Sequence, residues 1–452
     1  MGRAPSVGPM SHPHAHGGPA PASRGVVGAL TLVMSLFLVA TLVGVVALWP
    51  SDSELPAKRA FLSEGSTEVS GRITAIDSPG DVSSGQSAQV RVRLDSDGTT
   101  VEVPMGATLV TPDIIGARVR LVQIPAGQDT TGQDPDGTGT GTGTGTTGPA
   151  PSDTTGSGGD TSGATSSGAT SADPSFMFMD FHRSTPLVAI GLVLALAVIA
   201  VARWKGAAAL VGLVAALATI WYFTLPALLA GKPSVLVALT TASAILFIVV
   251  YLAHGVSVKS STALLGTFAG IAVVTVLASW AIPASHLTPG VDENMSQLAY
   301  LAAKVDIRGV LLCGMVLSGV GVLNDVTITQ ASSVWELRAA APSQTRWSVF
   351  TRAMRIGRDH IASTVYTIAF AYAGGALGLL MLASTLNHSL LELITYDDIA
   401  EELVGIGVAS IGLVLAIPLT TAIAALLVGA PRPAEEADAR GVTPSSRPQP
   451  RH

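Results

Sequence analysis

Pro186-Leu-Val-Ala-Ile-Gly-Leu-Val-Leu-Ala-Leu-Ala-Val-Ile-Ala-Val-Ala202 runs for 17 residues without a charged or hydrogen-bonding side chain. Arg203-Trp-Lys205 interrupts it, and residues 206–230 resume in the same vein. A bilayer core about 30 Å thick is crossed by about 20 apolar residues in a helix. Lipid cannot satisfy bare backbone amides, so such blocks must be helical. Six further blocks share this character: 26–49, 234–252, 263–283, 309–330, 361–383 and 403–428. The block at 309–330 is polar in its second half. Eight spans are therefore expected.

The rest of the composition agrees. Of 452 residues, 48% are hydrophobic and 12% charged, whereas a soluble domain carries roughly 25% charged residues. Mean hydropathy is +0.51. The net charge of −6 and the absence of a strongly basic segment argue against nucleic acid as a partner. The single cysteine, Cys313, rules out an intramolecular disulfide and a cysteine-rich metal site. The first block, followed by Pro50-Ser-Asp-Ser53 with no small-residue cleavage site, reads as a retained signal-anchor.

Charge sets an expected orientation. With the N-terminus inside and eight alternating spans, fourteen Lys and Arg fall on inside segments. Lys232, Lys304 and Arg308 fall on short outside loops. This bias follows the positive-inside rule and predicts both termini in the cytoplasm. Arg outnumbers Lys twenty to five, a composition that points to a GC-rich bacterial genome and so to spans in a bacterial plasma membrane.

Between the first two spans lies a long polar stretch. Gln89-Val-Arg-Val-Arg-Leu94, Ala117-Arg-Val-Arg-Leu121 and Val101-Glu-Val103 alternate at period two, as half-buried strands do. Ser78-Pro-Gly80, Ser96-Asp-Gly98 and Pro112-Asp113 separate them as turns. A further strand is expected at 68–76. The fold class expected is an all-α polytopic membrane protein, with a small extracytoplasmic β-barrel-like domain inserted between spans one and two. That domain is placed at 50–126, and as a module it could dock an envelope protein. Residues 127–176, rich in Gly, Thr and Ser with no Lys or Arg, read as a disordered tether of roughly 35–42 Å. Residues 177–430 form the expected seven-span domain. Residues 1–25, which include His12, His14 and His16, and residues 431–452 read as disordered tails.

An ionisable residue inside a membrane is the default pointer to function. Asp325 is the outstanding one. Gly314, Ser318, Gly321, Asp325, Thr329, Ser332 and Glu336 recur every three or four residues and share one helix face. His360, Thr364, Thr367, Ala371, Gly374 and Gly378 do the same on the seventh span. Small residues let helices approach closely, so spans six and seven are expected to pack seam to seam. Gly314, Ser318 and Gly321 would then face Gly374 and Gly378. The expected polar or translocation site is Asn324, Asp325, Thr329, Ser332, Glu336, Thr364 and Thr367, with Arg358, Asp359 and His360 in the cytoplasmic loop. Asp325 could instead pair with Arg358 or cap a helix. Pro226 and Pro418 free backbone carbonyls inside their spans. The arginines at 338–358 anchor the topology or meet anionic lipid.

Asp306-Ile-Arg-Gly309, the run from Asn324-Asp325 to Trp335-Glu336, and Gly357-Arg-Asp-His360 resemble the YibE/F-like family of bacterial multipass membrane proteins. His254-Gly255 with Lys259, Ala263-Leu-Leu-Gly266 and Asp180-Phe-His-Arg183 fit the same pattern, whereas Tyr366 departs from it. The resemblance implies topology and little chemistry. The functional expectation is a permease for a small solute or ion. An envelope accessory or sensory protein is the alternative. With no HExxH, no paired intramembrane carboxylates and no P-loop, neither an enzyme nor a metal or other cofactor is expected. The sequence leaves the oligomeric state open.

Overall fold

The computed structural model describes residues 23–56, 65–125, 174–287, 293–385 and 389–429. The expected C-terminal tail and most of the expected N-terminal tail and tether lie outside these residues, while Arg24 and Gly25 of the expected N-terminal tail already belong to a helix. The chain divides into two compact units, one of residues 1–57 and 194–452, the other of residues 58–193.

The smaller unit holds five antiparallel strands: β1 (Thr67–Ser78), β2 (Ala88–Leu94), β3 (Thr100–Met105), β4 (Arg118–Ile124) and β5 (Ser175–Phe181). Their order is β3-β2-β1-β4-β5. The edge strands β3 and β5 also lie against each other, so the sheet curls on itself. Alternation does the work expected of it. Ile73, Val90, Val92, Val103, Val119 and Leu121 fill the interior at 0–1% exposure, while the arginines between them face outward.

One boundary needs correction. The sheet does not end at residue 126, because β5 pairs with β4, setting Leu121 opposite Phe178 and Ile124 opposite Ser175. Residues 126–173 are therefore an insertion between paired strands, not a tether between sheet and helices. The connection from β5 to the next helix is His182 and Arg183. There Asp180 Oδ1 accepts from Phe181 N at 2.8 Å and from Arg183 Nη1 at 2.6 Å, and Ser184 Oγ lies 2.8 Å from His182 Nε2. The Asp180-Phe-His-Arg183 motif is thus a strand-to-helix corner.

The helices are α1 (Arg24–Leu48), α2 (Ser184–Thr219), α3 (Leu225–Leu229), α4 (Ser234–His254), α5 (Val258–Ala284), α6 (Glu293–Leu301), α7 (Ile307–Ala340), α8 (Arg346–Gly375), α9 (Leu377–Thr385), α10 (Leu390–Ile394) and α11 (Asp397–Leu427). Among the described residues, six helical runs are long and apolar enough to cross a membrane, or seven if the bent pair α8–α9 is one span. The second and third sequence blocks are joined in one run, Ser184–Leu229, which breaks at Arg203 (φ 54°, ψ −133°). The chain folds back sharply there. A Cβ on Gly206 would lie 2.5 Å from the carbonyl of Val198, eight residues earlier, a distance that a straight helix would stretch to about 12 Å. Pro226 follows a π-helical turn, Ile220–Thr224, which absorbs its missing donor.

Many large apolar side chains point away from any protein neighbour, among them Val201 at 86% and Trp280 at 68% exposure. Water would penalise such a surface and lipid does not. Within the larger unit α5 is the central helix, packed on α7 and α11 and flanked by α4 and α1. Its small residues set the spacing. A Cβ on Gly270 would meet Leu323 of α7 at 3.1 Å and Ala416 of α11 at 3.0 Å. Gly266, one turn earlier, is filled by Thr420 of α11. Close backbone approach at small residues four apart is a hallmark of helix packing in membranes. The turn into α5 is also encoded locally. Gly255 ends α4 at φ 73°, and Ser257 and Ser260 form a reciprocal capping box.

Candidate functional site

The bulky face of α7 is the one that packs. Leu312, Val316, Leu323, Val326, Thr327, Gln330 and Val334 are buried. Gly314, Ser318, Gly321 and Asp325 lie on the other side and are exposed. Gly374 and Gly378 are exposed as well, and a Cβ at Gly314, Gly321, Gly374 or Gly378 would meet nothing within 4 Å. The two expected seams therefore do not meet. The glycines that receive the bulky face of α7 are on its partners, Gly270 on α5 and Gly357 on α8.

The expected polar residues are spread accordingly. Thr329 is half-buried and its hydroxyl donates to the Asp325 carbonyl at 2.9 Å. Ser332, Thr364 and His360 are half-buried, and Glu336, Thr367, Arg358 and Asp359 are exposed. The Thr367 hydroxyl donates to the Ser363 carbonyl at 2.9 Å. Asn324 is half-buried, and its Oδ1 is enclosed without a hydrogen-bond partner among the described residues. Asp325 lies within electrostatic range of His254, which also feels Lys205 and Lys259. One acidic and three basic or titratable groups from α2, α4, α5 and α7 thus share a region.

What the helices do bring together is a neutral polar layer. Gln330 of α7, 1% exposed, donates through Nε2 to the Ala353 carbonyl of α8 at 2.9 Å and to Thr421 Oγ1 of α11 at 2.8 Å. Thr421 in turn donates to the Ile417 carbonyl at 2.7 Å. Three residues along α7, Thr327 Oγ1 lies 2.6 Å from Thr267 Oγ1 of α5. Thr420, also fully buried, has a hydroxyl with no partner among the described residues. Gly357 makes room for the amide. A Cβ there would come within 3.1 Å of Gln330 Oε1 and 2.6 Å of Ile417 Cγ2.

Two sequence motifs gain a physical meaning here. Gly357-Arg-Asp-His360 begins with the residue that admits Gln330, and Ala263-Leu-Leu-Gly266 ends with the one that admits Thr420. Asp306-Ile-Arg-Gly309 works similarly, since a Cβ on Gly309 would strike Ser234 at the start of α4. Gln330 was absent from the expected site. Its signal was present, because it falls on the face of Leu323, Thr327 and Val334, a polar residue in an apolar row.

The layer offers hydroxyl and amide dipoles and no formal charge. Such groups can replace part of a hydration shell but cannot hold a metal through anionic ligands. Among the described residues no group of three or more His, Cys, Asp or Glu could hold a metal ion. A separate cleft of about 600 Å³ lies between α1, α4 and α5, lined by Phe37, Thr41, Thr240, Ser243 and Phe268 among others. It carries hydroxyls and apolar groups but no charge.

The family model for YibE/F-like protein matches residues 190–430. That stretch takes in the polar layer, Asp325 and every motif just described except the strand-to-helix corner. No curated protein and no solved structure matches the chain.

Proposed function

The chain belongs to the YibE/F-like family, and from that premise we propose that this membrane protein is a permease for a small solute or ion. The observation that carries the reading is the polar layer: Gln330, Thr267, Thr327, Thr420 and Thr421 buried among four apolar helices. Buried polar groups are costly in a membrane and mark pathways by default. The buried hydroxyl of Thr420 and the buried Oδ1 of Asn324, neither with a hydrogen-bond partner among the described residues, are the groups that would bind a passing solute. Asp325, within electrostatic range of His254, is the charged group at the side of that route. The protein crosses the plasma membrane of a bacterial cell eight times, the break at Arg203 separating two spans, with both termini in the cytoplasm. It carries out no chemical conversion and uses no cofactor.

Flux measurements in vesicles containing the full chain test this, guided by comparing solute and metal content of cells with and without the protein. Asp325→Asn and Thr420→Val should each reduce flux of the identified solute at least tenfold, while changes on the sheet leave it unchanged. No difference in content across a broad panel would overturn the proposal. The alternative is an accessory or sensory protein whose curled sheet docks an envelope partner. It is favoured by the outward-facing arginines of the sheet, and it predicts the reverse sensitivities.

A further inference from the structure

The sheet register places three arginines side by side. Arg72 of β1 pairs directly with Arg93 of β2 on one side and with Arg118 of β4 on the other. Facing residues of an antiparallel ladder point to the same side, with Cβ atoms about 4.5–5.5 Å apart, and like charges placed so destabilise a sheet. All three are exposed. Elsewhere on this face the sheet neutralises its arginines. Arg91 pairs with Asp77 at 2.6 Å and Arg120 with Glu68 at 3.5 Å. Within the row, Arg118 reaches Asp95 at 3.1 Å and Arg93 reaches only the Gly98 carbonyl, at 3.4 Å. Arg72 has no ion pair among the described residues.

A second observation gives the row a location. The backbone of His182 donates to the Arg118 carbonyl at 2.8 Å, so the row ends beside the strand-to-helix corner. α2 begins at Ser184 and is apolar from Leu187 to Ala202. Two residues of extended chain span at most about 7 Å. The arginines therefore lie close to the level where the polypeptide enters the hydrocarbon, which is where lipid phosphates lie.

We propose that the Arg93–Arg72–Arg118 row docks on the phosphate groups of anionic phospholipids. Guanidinium groups present planar donor forks that match phosphate oxygens, and a lipid surface supplies a two-dimensional array of them to a linear row. A soluble polyanion would be served by such a row anywhere on the sheet. The position next to α2 is what selects the membrane surface. This inference is independent of any transport activity.

The test uses the full chain with Cys313→Ala and a fluorophore at Thr100→Cys, the residue facing Arg93. It is placed in nanodiscs of phosphatidylcholine, with or without an equal share of phosphatidylglycerol, together with a headgroup-labelled quenching lipid. Quenching should be stronger in the anionic discs and fall as salt is raised. Arg72→Gln and Arg93→Gln should each weaken the anionic preference roughly fivefold. Arg72→Lys should retain most of it, and Arg91→Gln, whose partner is Asp77, should leave it unchanged. Equal quenching in both lipids would overturn the proposal. So would a preference untouched by the Arg72 and Arg93 changes, or a soluble polyphosphate that binds the row in phosphatidylcholine discs while anionic lipid does not.

Discussion

Gly357 of α8 lies against the amide of Gln330 of α7, so close that a single methyl group on the glycine would press on both head-group atoms of the amide, at 3.1 and 3.2 Å. The same methyl would meet Ile417 of α11 at 2.6 Å. Three helices are thus locked at one point by the lack of a side chain. Gly357→Ala should destabilise the protein by about 1–3 kcal/mol, the usual cost of overpacking. Thermal unfolding in detergent would read this, and an unchanged midpoint would show that the contact is not closed in solution.

Gln330→Leu keeps the volume but removes two donated hydrogen bonds. Interhelical hydrogen bonds in membranes contribute about 0.6 kcal/mol on average and up to about 1.7. A double-mutant cycle with Thr421→Val should return a coupling in that range. A coupling near zero would mean that the amide and the hydroxyl do not hold each other.

Glu54 accepts from Lys232 Nζ at 2.7 Å and from Ser51 N at 2.9 Å. The lysine above all, and then the backbone donor, hold its carboxyl down at about 2, against an ordinary 4.5. A group depressed on folding stabilises above its unfolded value and loses that contribution as protonation sets in. The contact following α1 should therefore be fully present above about pH 4.5 and weaken as pH falls towards 2. Lys232→Met should flatten this step in a pH series of unfolding midpoints. An identical profile for the variant would refute the assignment.

Arg203 adopts φ 54° and ψ −133°, a region almost confined to glycine that costs a larger residue about 1–3 kcal/mol. Arg203→Gly should raise stability by about that amount. Lower stability would show that the guanidinium holds the bend by contacts outweighing its backbone strain.

Phe178 of β5 faces Leu121 of β4 and meets Phe181 edge-on, with ring centroids 5.2 Å apart. Phe178→Ala should cost the sheet roughly 1.5–3 kcal/mol and open β1 and β4 to limited proteolysis, leaving the helices intact. Unaltered cleavage would show that β5 is dispensable.

The helices were legible because apolar blocks of about 20 residues have one stable form in lipid. β2 and β4 were legible through strict alternation. β5 was not, because Ser175-Phe-Met-Phe-Met-Asp-Phe181 is almost continuously apolar and follows a long Gly, Thr and Ser run. The site was harder to read. Periodicity assigns residues to a face but does not say which neighbour covers it. The Gly314–Ser318–Gly321 seam looked like a contact, yet the bulky side of α7 won, because Gly270 on α5 and Gly357 on α8 supply the small surface. The family could be read from short motifs; the role of Gln330 emerged only from the helices that enclose it.

Ile124 and Ser175 sit opposite one another in a single ladder, although fifty positions of sequence separate them. Closing a longer excursion costs little more than closing a short one, about 0.6 kcal/mol per doubling. The excursion can therefore lengthen, shrink or change its make-up through evolution while the strands on either side stay in step. It is the natural place to splice in a folded reporter: cargo inserted there would leave the paired strands in register and reveal which side of the bilayer the sheet occupies.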